Sequence, residues 1–231
     1  MASLLSALQR LLFPWVREEE NSAKCLEYVK AHAEHGNPAS VLACMDEFAS
    51  KNHIMNVGEI KGAIVDEEIR KKKPATMVEL GAYTGYSAVR FACLQRELAG
   101  DKESHYYSFE YSPVYAERVR EVVKIAGLSD QVTVYAGAFS EQHEVLQGKT
   151  VDMYFIDHEK SVYLNDLKLI LASGTLAPGS IVAADNVVLP GAPDYLKFIE
   201  SSPQFTEERH TVLIKRENIR IPDLSIATFL G

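Results

Sequence analysis

No apolar run in this 231-residue chain approaches the ~20 residues that a membrane span requires. An integral membrane reading is excluded on that ground, and no internal repeat or low-complexity linker divides the chain. At the amphipathic start, Leu4, Leu5, Leu8, Leu11, Leu12 and Trp15 recur at helical spacing. This segment lacks both the basic opening and the unbroken apolar centre of a cleavable leader. We read it as a helix packed on the protein or a partner, with a helix lying on a membrane surface as the alternative.

Cysteine is scarce. Cys25, Cys44 and Cys93 stand far apart with no C-x-x-C pair, which excludes a disulfide framework and a thiolate zinc site. Buried thiols in a reducing compartment fit instead, and we expect a cytoplasmic protein. Positive charge is also short, with 24 Lys and Arg against 32 Asp and Glu, a formal net charge of -8. Attraction to nucleic acid or to an anionic membrane needs the opposite sign. The basic run Arg70-Lys71-Lys72-Lys73 closes a helix-like segment, where cations suit the helix dipole.

Hydrophobic residues make up 47% of the chain, enough for one domain with a buried core. Residues 1–21 read as an extension, 22–75 as a helical cap and 76–231 as an α/β core. In the cap, Leu26, Val29 and Ala33, then Val41, Cys44, Met45 and Phe48, follow helical spacing, with Asn37-Pro38 opening the second helix. From residue 76 short apolar runs alternate with amphipathic stretches. Strands are expected at Thr76–Leu80, Tyr106–Glu110, Val132–Ala136, Val151–Asp157 and Ser180–Asp185, and helices at 86–98, 113–126, 140–147 and 161–176. That alternation predicts a doubly wound, mostly parallel sheet covered on both faces. Two further runs between Glu207 and Leu230 predict an antiparallel pair at its edge.

Open parallel sheets bind ligands at the carboxyl ends of their strands. The first strand runs into Glu79-Leu80-Gly81-Ala82-Tyr83-Thr84-Gly85-Tyr86-Ser87, and glycine there lets the backbone approach a ligand closely. Acidic residues at this end disfavour pyrophosphate and favour a ribose or a cation. Glu110 closes the next strand, where a carboxylate can take the ribose hydroxyls of a nucleotide. A tight turn without ligand remains the other reading. Asp157, Asp185 and Asn186 close two later strands. Together they are a hard oxygen set suited to magnesium, although each alone is also a favoured helix cap. Lys160 follows Asp157 at a helix start, where it opposes the dipole. It is an ordinary surface lysine or, with a metal beside it to lower its pKa, a general base.

These motifs carry a resemblance. Met55-Asn56-Val57-Gly58-Glu59-Ile60-Lys61-Gly62, Glu79 to Tyr83, Gly85 to Arg90, Asp157-His158, Lys160, Asp185-Asn186, Pro190-Gly191 and Pro193-Asp194 resemble catechol O-methyltransferase over roughly residues 22–231. The resemblance implies a Rossmann-like fold and methyl transfer from S-adenosylmethionine to one hydroxyl of a small diphenol, with Mg2+ required. It places Met55, Val57, Glu79, Gly81, Tyr83, Ser87, Glu110, Tyr111, Ser140, Asp157 and His158 around the cofactor. Asp157, Asp185 and Asn186 would hold the metal and Lys160 would act as base. His53, Lys160, Asn186, Pro190 and Glu217 would meet the acceptor.

Glu159 and His53 stand where that family has tryptophan. The segment Phe139-Ser140-Glu141-Gln142 does not keep the family's Ser-Gln offset, and Lys215 falls on its acceptor-binding glutamate. A phenylpropanoid or another larger, more polar diphenol is the alternative acceptor. A nucleotide-binding protein without catalysis is the alternative of a different class.

Overall fold

The computed structural model describes residues 14–52, 54–214 and 218–231. Three expectations lie outside the described residues: the amphipathic start up to residue 13, His53, and the pair Lys215 and Glu217. Helices α1 (Pro14–His32), α2 (Pro38–Lys51) and α3 (Gly58–Lys72) precede the sheet. Then β1 (Thr76–Leu80), α4 (Tyr86–Ala99), β2 (His105–Glu110), α5 (Pro113–Ile125), β3 (Val132–Ala136) and α6 (Phe139–Gln142) follow. The chain continues through β4 (Met153–Ile156), α7 (Tyr163–Ala172), β5 (Ile181–Asp185), α8 (Pro193–Ser201), β6 (Phe205–Ile214) and β7 (Ile219–Phe229).

The seven strands lie in the order β3-β2-β1-β4-β5-β7-β6. All neighbours through β5 pair in parallel, while β7 is antiparallel to both β5 and β6. The expected edge pair is therefore present, with its second strand on the inside. Strand order reverses between β1 and β4, so their carboxyl ends flank a crevice.

Side-chain alternation along the strands builds two cores. Met77, Tyr106, Met153 and Phe155 face helices α1 to α5, while Val78, Leu80, Tyr154 and Ile156 face α7 and α8. Each strand of the centre buries both faces, which is why its sequence reads as an unbroken apolar run. Caps fall where the residue types ask for them. Asn37 accepts from the Ser40 N–H at 3.1 Å and Ser112 from the Tyr115 N–H at 3.4 Å, each before a proline in the first turn.

The elements differ from their expected bounds at informative places. The helix expected at 140–147 is one α-turn followed by a 3-10 turn, His143–Leu146. The next helix opens as a 3-10 turn at Lys160–Val162, and strand β4 stops at Ile156, which leaves Asp157 to the loop. Among the described residues no helix is long and apolar enough to cross a membrane. Cys25, Cys44 and Cys93 are all free thiols, and burial pushes Cys25 up to about 12.

Two glycines set distances that matter to the crevice. At Gly62 a β-carbon would stand 2.7 Å from the Arg90 guanidinium, which reaches over α3 to grip Asp66 at 2.8 Å. Gly81, at φ 95°, would bring a β-carbon within 2.8 Å of the His158 backbone. The close approach expected of this glycine toward a ligand is thus made first to the protein's own β4 loop. Gly81→Ala should combine an unfavourable φ with a backbone clash, costing about 2–4 kcal/mol of stability. Urea denaturation without cofactor measures this, and a loss below ~1 kcal/mol would mean that the two strand ends are free to move apart.

Candidate active site

A cavity of about 1100 Å³ opens at the carboxyl ends of β1 and β4. Its floor on one side is the turn after β1, where Tyr83 sits in the left-handed region at φ 50° between Gly81 and Gly85. Glu110 holds that turn from the end of β2. Its Oε2 accepts from the Ala82 N–H at 3.1 Å and the Tyr83 N–H at 2.8 Å, and its Oε1 accepts from the Ser112 N–H at 2.9 Å. A carboxylate offers about four lone-pair sites, so acceptor capacity remains on Oε1. The Tyr83 hydroxyl donates to the Glu18 carbonyl at 3.1 Å, and Arg118 donates to the Glu19 carbonyl at 3.1 Å. Helix α1 thereby joins the cavity wall through Glu18, a residue that the sequence motifs did not point to.

On the other side stand the ends of β4 and β5. Lys160 donates to Asp157 Oδ1 at 2.8 Å and to the Tyr163 hydroxyl at 2.7 Å. The single Tyr163 proton is shared between the Ile156 and Asp185 carbonyls, at 2.9 and 3.0 Å. Burial pushes this phenol well above its ordinary range, so it stays protonated and ties the two strand ends together. His158 stacks on the Tyr163 ring, with centroids 5.1 Å apart, and its Nε2 meets the buried Asp166 carboxylate at 2.7 Å. Its Nδ1 is buried without a partner on a ring that lines the cavity.

Asp185 is itself buried. Its Oδ1 takes Lys61 Nζ at 2.6 Å and the Asn186 N–H at 2.8 Å. Burial first, then the charge of Asp157, pushes its carboxyl up to about 7 against the pull of Lys61. Asn186 occupies the left-handed region at φ 57°, a conformation asparagine tolerates. Its amide N–H groups meet the Leu189 carbonyl at 3.0 Å and Asp223 Oδ2 at 3.3 Å.

Of the residues expected at the site, twelve line this cavity: Met55, Val57, Gly81, Tyr83, Ser87, Glu110, Tyr111, Asp157, His158, Lys160, Asn186 and Pro190. Asp185 lies directly behind Asn186, and Glu79 is buried beneath the turn. Ser140 is exposed on α6 and does not line the cavity. Glu159 is exposed at the rim, with one carboxylate oxygen capping the Ser161 N–H at 3.2 Å. Lys61, Tyr163, Asp166 and Asp223 were missed as site residues. An aspartate within the mostly apolar stretch Ile221-Pro222-Asp223-Leu224-Ser225-Ile226-Ala227 was the one available signal for Asp223.

Residues 78–187 match a family model described as a methyltransferase domain. Catechol O-methyltransferase of Bos taurus is 39% identical over 207 residues, spanning 87% of this chain and 73% of that protein. The chain belongs to the catechol O-methyltransferase family. The Mus musculus catechol O-methyltransferase is 40% identical over 187 residues, 79% of this chain and 69% of that protein. Among solved structures, the O-methyltransferase TomG from Streptomyces achromogenes superposes with a TM-score of 0.68 at 19% identity, covering 79% of this chain and 85% of that one. This catechol O-methyltransferase family member is accordingly a methyl-transferring enzyme, and the shared architecture is the Rossmann-like methyltransferase fold.

Glu79 gives the family member a pH signature. Ser108 donates to its Oε2 at 2.7 Å, yet Oε1 is buried without a partner. Burial pushes its carboxyl from 4.5 to about 7, more than the Ser108 bond and the nearby hydroxyls of Ser87 and Tyr106 lower it. The folded protein therefore holds a proton that the unfolded chain has released. Stability from this group is fully present below the unfolded value and is lost as pH rises to about 7. At ~1.4 kcal/mol per pKa unit the loss is about 3 kcal/mol. Glu79→Gln should raise cofactor-free stability at pH 8 by up to ~3 kcal/mol and leave it unchanged near pH 4. Urea melts at the two pH values check this, and an equal effect at both would show that Glu79 ionises freely.

Proposed function

We propose that the protein transfers the methyl group of S-adenosylmethionine to one hydroxyl of a catechol-type diphenol, with magnesium held by Asp157, Asp185 and Asn186. The observation that carries this reading is that the Glu110-braced turn and the Lys160–Asp157 pair open into one cavity. On the turn side, the spare capacity of Glu110 suits a ribose hydroxyl, and the unpartnered Nδ1 of His158 suits a polar cofactor atom. Met55 and Tyr111, both exposed in the cavity wall, offer apolar surface for the rest of the donor.

The cation rests on the chemistry of the donor set. Among the described residues no three His, Cys, Asp or Glu side chains gather as a metal cluster. The set here is two carboxylates and an amide, all hard oxygen donors of the kind magnesium takes. Lys61 and Lys160 each occupy one oxygen of Asp185 and Asp157 and leave the other, while Asp223 stands behind them as a buried charge whose own oxygens are taken by Lys61, Asn186 and two backbone N–H groups. Three carboxylates thus face two ammonium groups. That excess of negative charge in a buried place favours a cation.

A bound magnesium ion would favour the ionised form of a hydroxyl and fix two adjacent oxygens in direction. A cation bound beside Lys160 would favour its neutral amine, and in that form Lys160 takes the proton from the attacking hydroxyl. Asp157 and Tyr163 hold its Nζ in place while it does so. Transfer breaks the bond from sulfur to methyl and forms the bond from oxygen to methyl, leaving a thioether. Positioning both reactants in one cavity supplies much of the rate. The exposed carboxylates of Glu159 and Asp194 in the cavity lining favour, as a second reading, an acceptor larger or more polar than catechol.

Labelled methyl donor should pass to vicinal diphenols and not to monophenols. Chelator should abolish turnover without displacing the cofactor, and magnesium should restore it. Full turnover in chelator, or equal rates on monophenols, would overturn the cation and diphenol parts together. Lys160→Ala should lower kcat by roughly 10²–10⁴-fold, the range of general-base contributions, with cofactor affinity unchanged in calorimetry. An unaltered kcat would return Lys160 to a structural partner of Asp157.

A further inference from the structure

Asp223 lies on β7 with no solvent exposure, next to β5 in the sheet. A buried carboxylate is costly unless paired and hydrogen-bonded, and this one is saturated. Its Oδ2 receives Lys61 Nζ at 2.7 Å and Asn186 Nδ2 at 3.3 Å. Its Oδ1 receives the N–H groups of Val188 at 2.9 Å and Leu189 at 2.8 Å. All four donors belong to the crevice: Lys61 also holds Asp185, and the other three come from Asn186 and the turn after it. We propose that Asp223 is a positioning residue that turns the Asn186 amide so that its oxygen, and not its nitrogen, is offered to a cation.

The argument is one of polarity. The two ends of an asparagine amide are similar in shape and opposite in hydrogen-bonding character. At Asn186 the nitrogen faces two groups that only accept, the Leu189 carbonyl and the Asp223 carboxylate. A flipped amide would set its oxygen against both, at the cost of two hydrogen bonds and with repulsion in their place. Among the described residues no donor meets the Asn186 oxygen, and the residue lines the cavity. Asp223 also fixes the second acceptor, because its bond to the Leu189 N–H holds the residue whose carbonyl Asn186 reaches. Nothing in the site tolerates the flip while Asp223 is ionised and paired with Lys61.

This inference rests on the cation set proposed above, and the test separates the two. Mn2+ binding is followed by loss of the free-ion electron paramagnetic resonance signal, with cofactor affinity from calorimetry as the control for folding. The wild type should bind Mn2+, and a wild type that leaves Mn2+ free would overturn the cation reading and this inference with it. In Asp223→Asn the introduced amide can donate as well as accept, so the Asn186 flip becomes tolerable. Mn2+ affinity should fall at least tenfold while cofactor affinity stays within twofold. The double variant Asp223→Asn with Asn186→Asp exchanges the two groups, and the introduced carboxylate presents oxygen either way round. It should recover Mn2+ affinity to within threefold of wild type. An Asp223→Asn protein that binds Mn2+ like wild type, or a double variant as weak as the single one, overturns the positioning role. Should Asp223→Asn fail to fold, asparagine-labelled wild type gives the reading by nuclear magnetic resonance. Slow hydrogen exchange of the Asn186 amide supports the proposal, and exchange at the rate of a free amide overturns it.

Discussion

Lys61 is buried between two aspartates from different strands, Asp185 on β5 and Asp223 on β7. The arrangement of the site depends on that contact. An ammonium removed from water is tolerated only where carboxylates meet it at hydrogen-bonding distance, and each carboxylate needs it in return. The triad therefore ties α3 to the inner antiparallel strand and to the last parallel one. Each of its members also has a second partner at the crevice, including the Asn186 N–H, the Asn186 amide and the N–H groups of the following turn. The cost of burying three charges is carried in a place where their geometry sets the direction of functional atoms.

A second fixed point lies across β4. Tyr163 places one hydroxyl between the carbonyls that end β4 and β5 and receives Lys160 from the cavity side. The lysine that begins a helix against its dipole is thus compensated by Asp157 and by the phenol oxygen. Opposite, Glu110 braces the glycine turn through three backbone N–H groups, including that of Tyr83 in its left-handed conformation. Gly81 lets that turn close against the His158 backbone, so the two halves of the crevice have a set separation.

Much of this was legible in the chain because parallel sheets write themselves as apolar runs ending in acids and glycines. The strands around Met77, Phe109, Tyr154 and Val182 were recognisable, and so were Glu110, Asp157, Asp185 and Asn186 at their ends. Bounds were less legible where a turn tightens. Lys160 to Val162 and His143 to Leu146 carry helix-like spacing but adopt 3-10 geometry, because side chains there bond locally or face the core. Lys61 gave no sign of its role, since one-dimensional spacing does not show partners more than a hundred residues away, and Tyr163 gave none because its hydroxyl bonds backbone carbonyls, which every residue carries.

Periodicity, the placing of glycine and the choice of residue at strand ends determined the fold class, the location of the crevice and its excess of carboxylate. These follow from local rules, in that a buried strand must be apolar and a strand end may carry charge. The tertiary structure alone decided which charges meet. Placing β7 antiparallel beside β5, inside β6, brings Asp223 under Asn186 and Lys61. Hydrogen bonds and ion pairs act over about 3 Å in space whatever the separation along the chain. The polarity of the site was therefore settled only when the last strand entered the sheet.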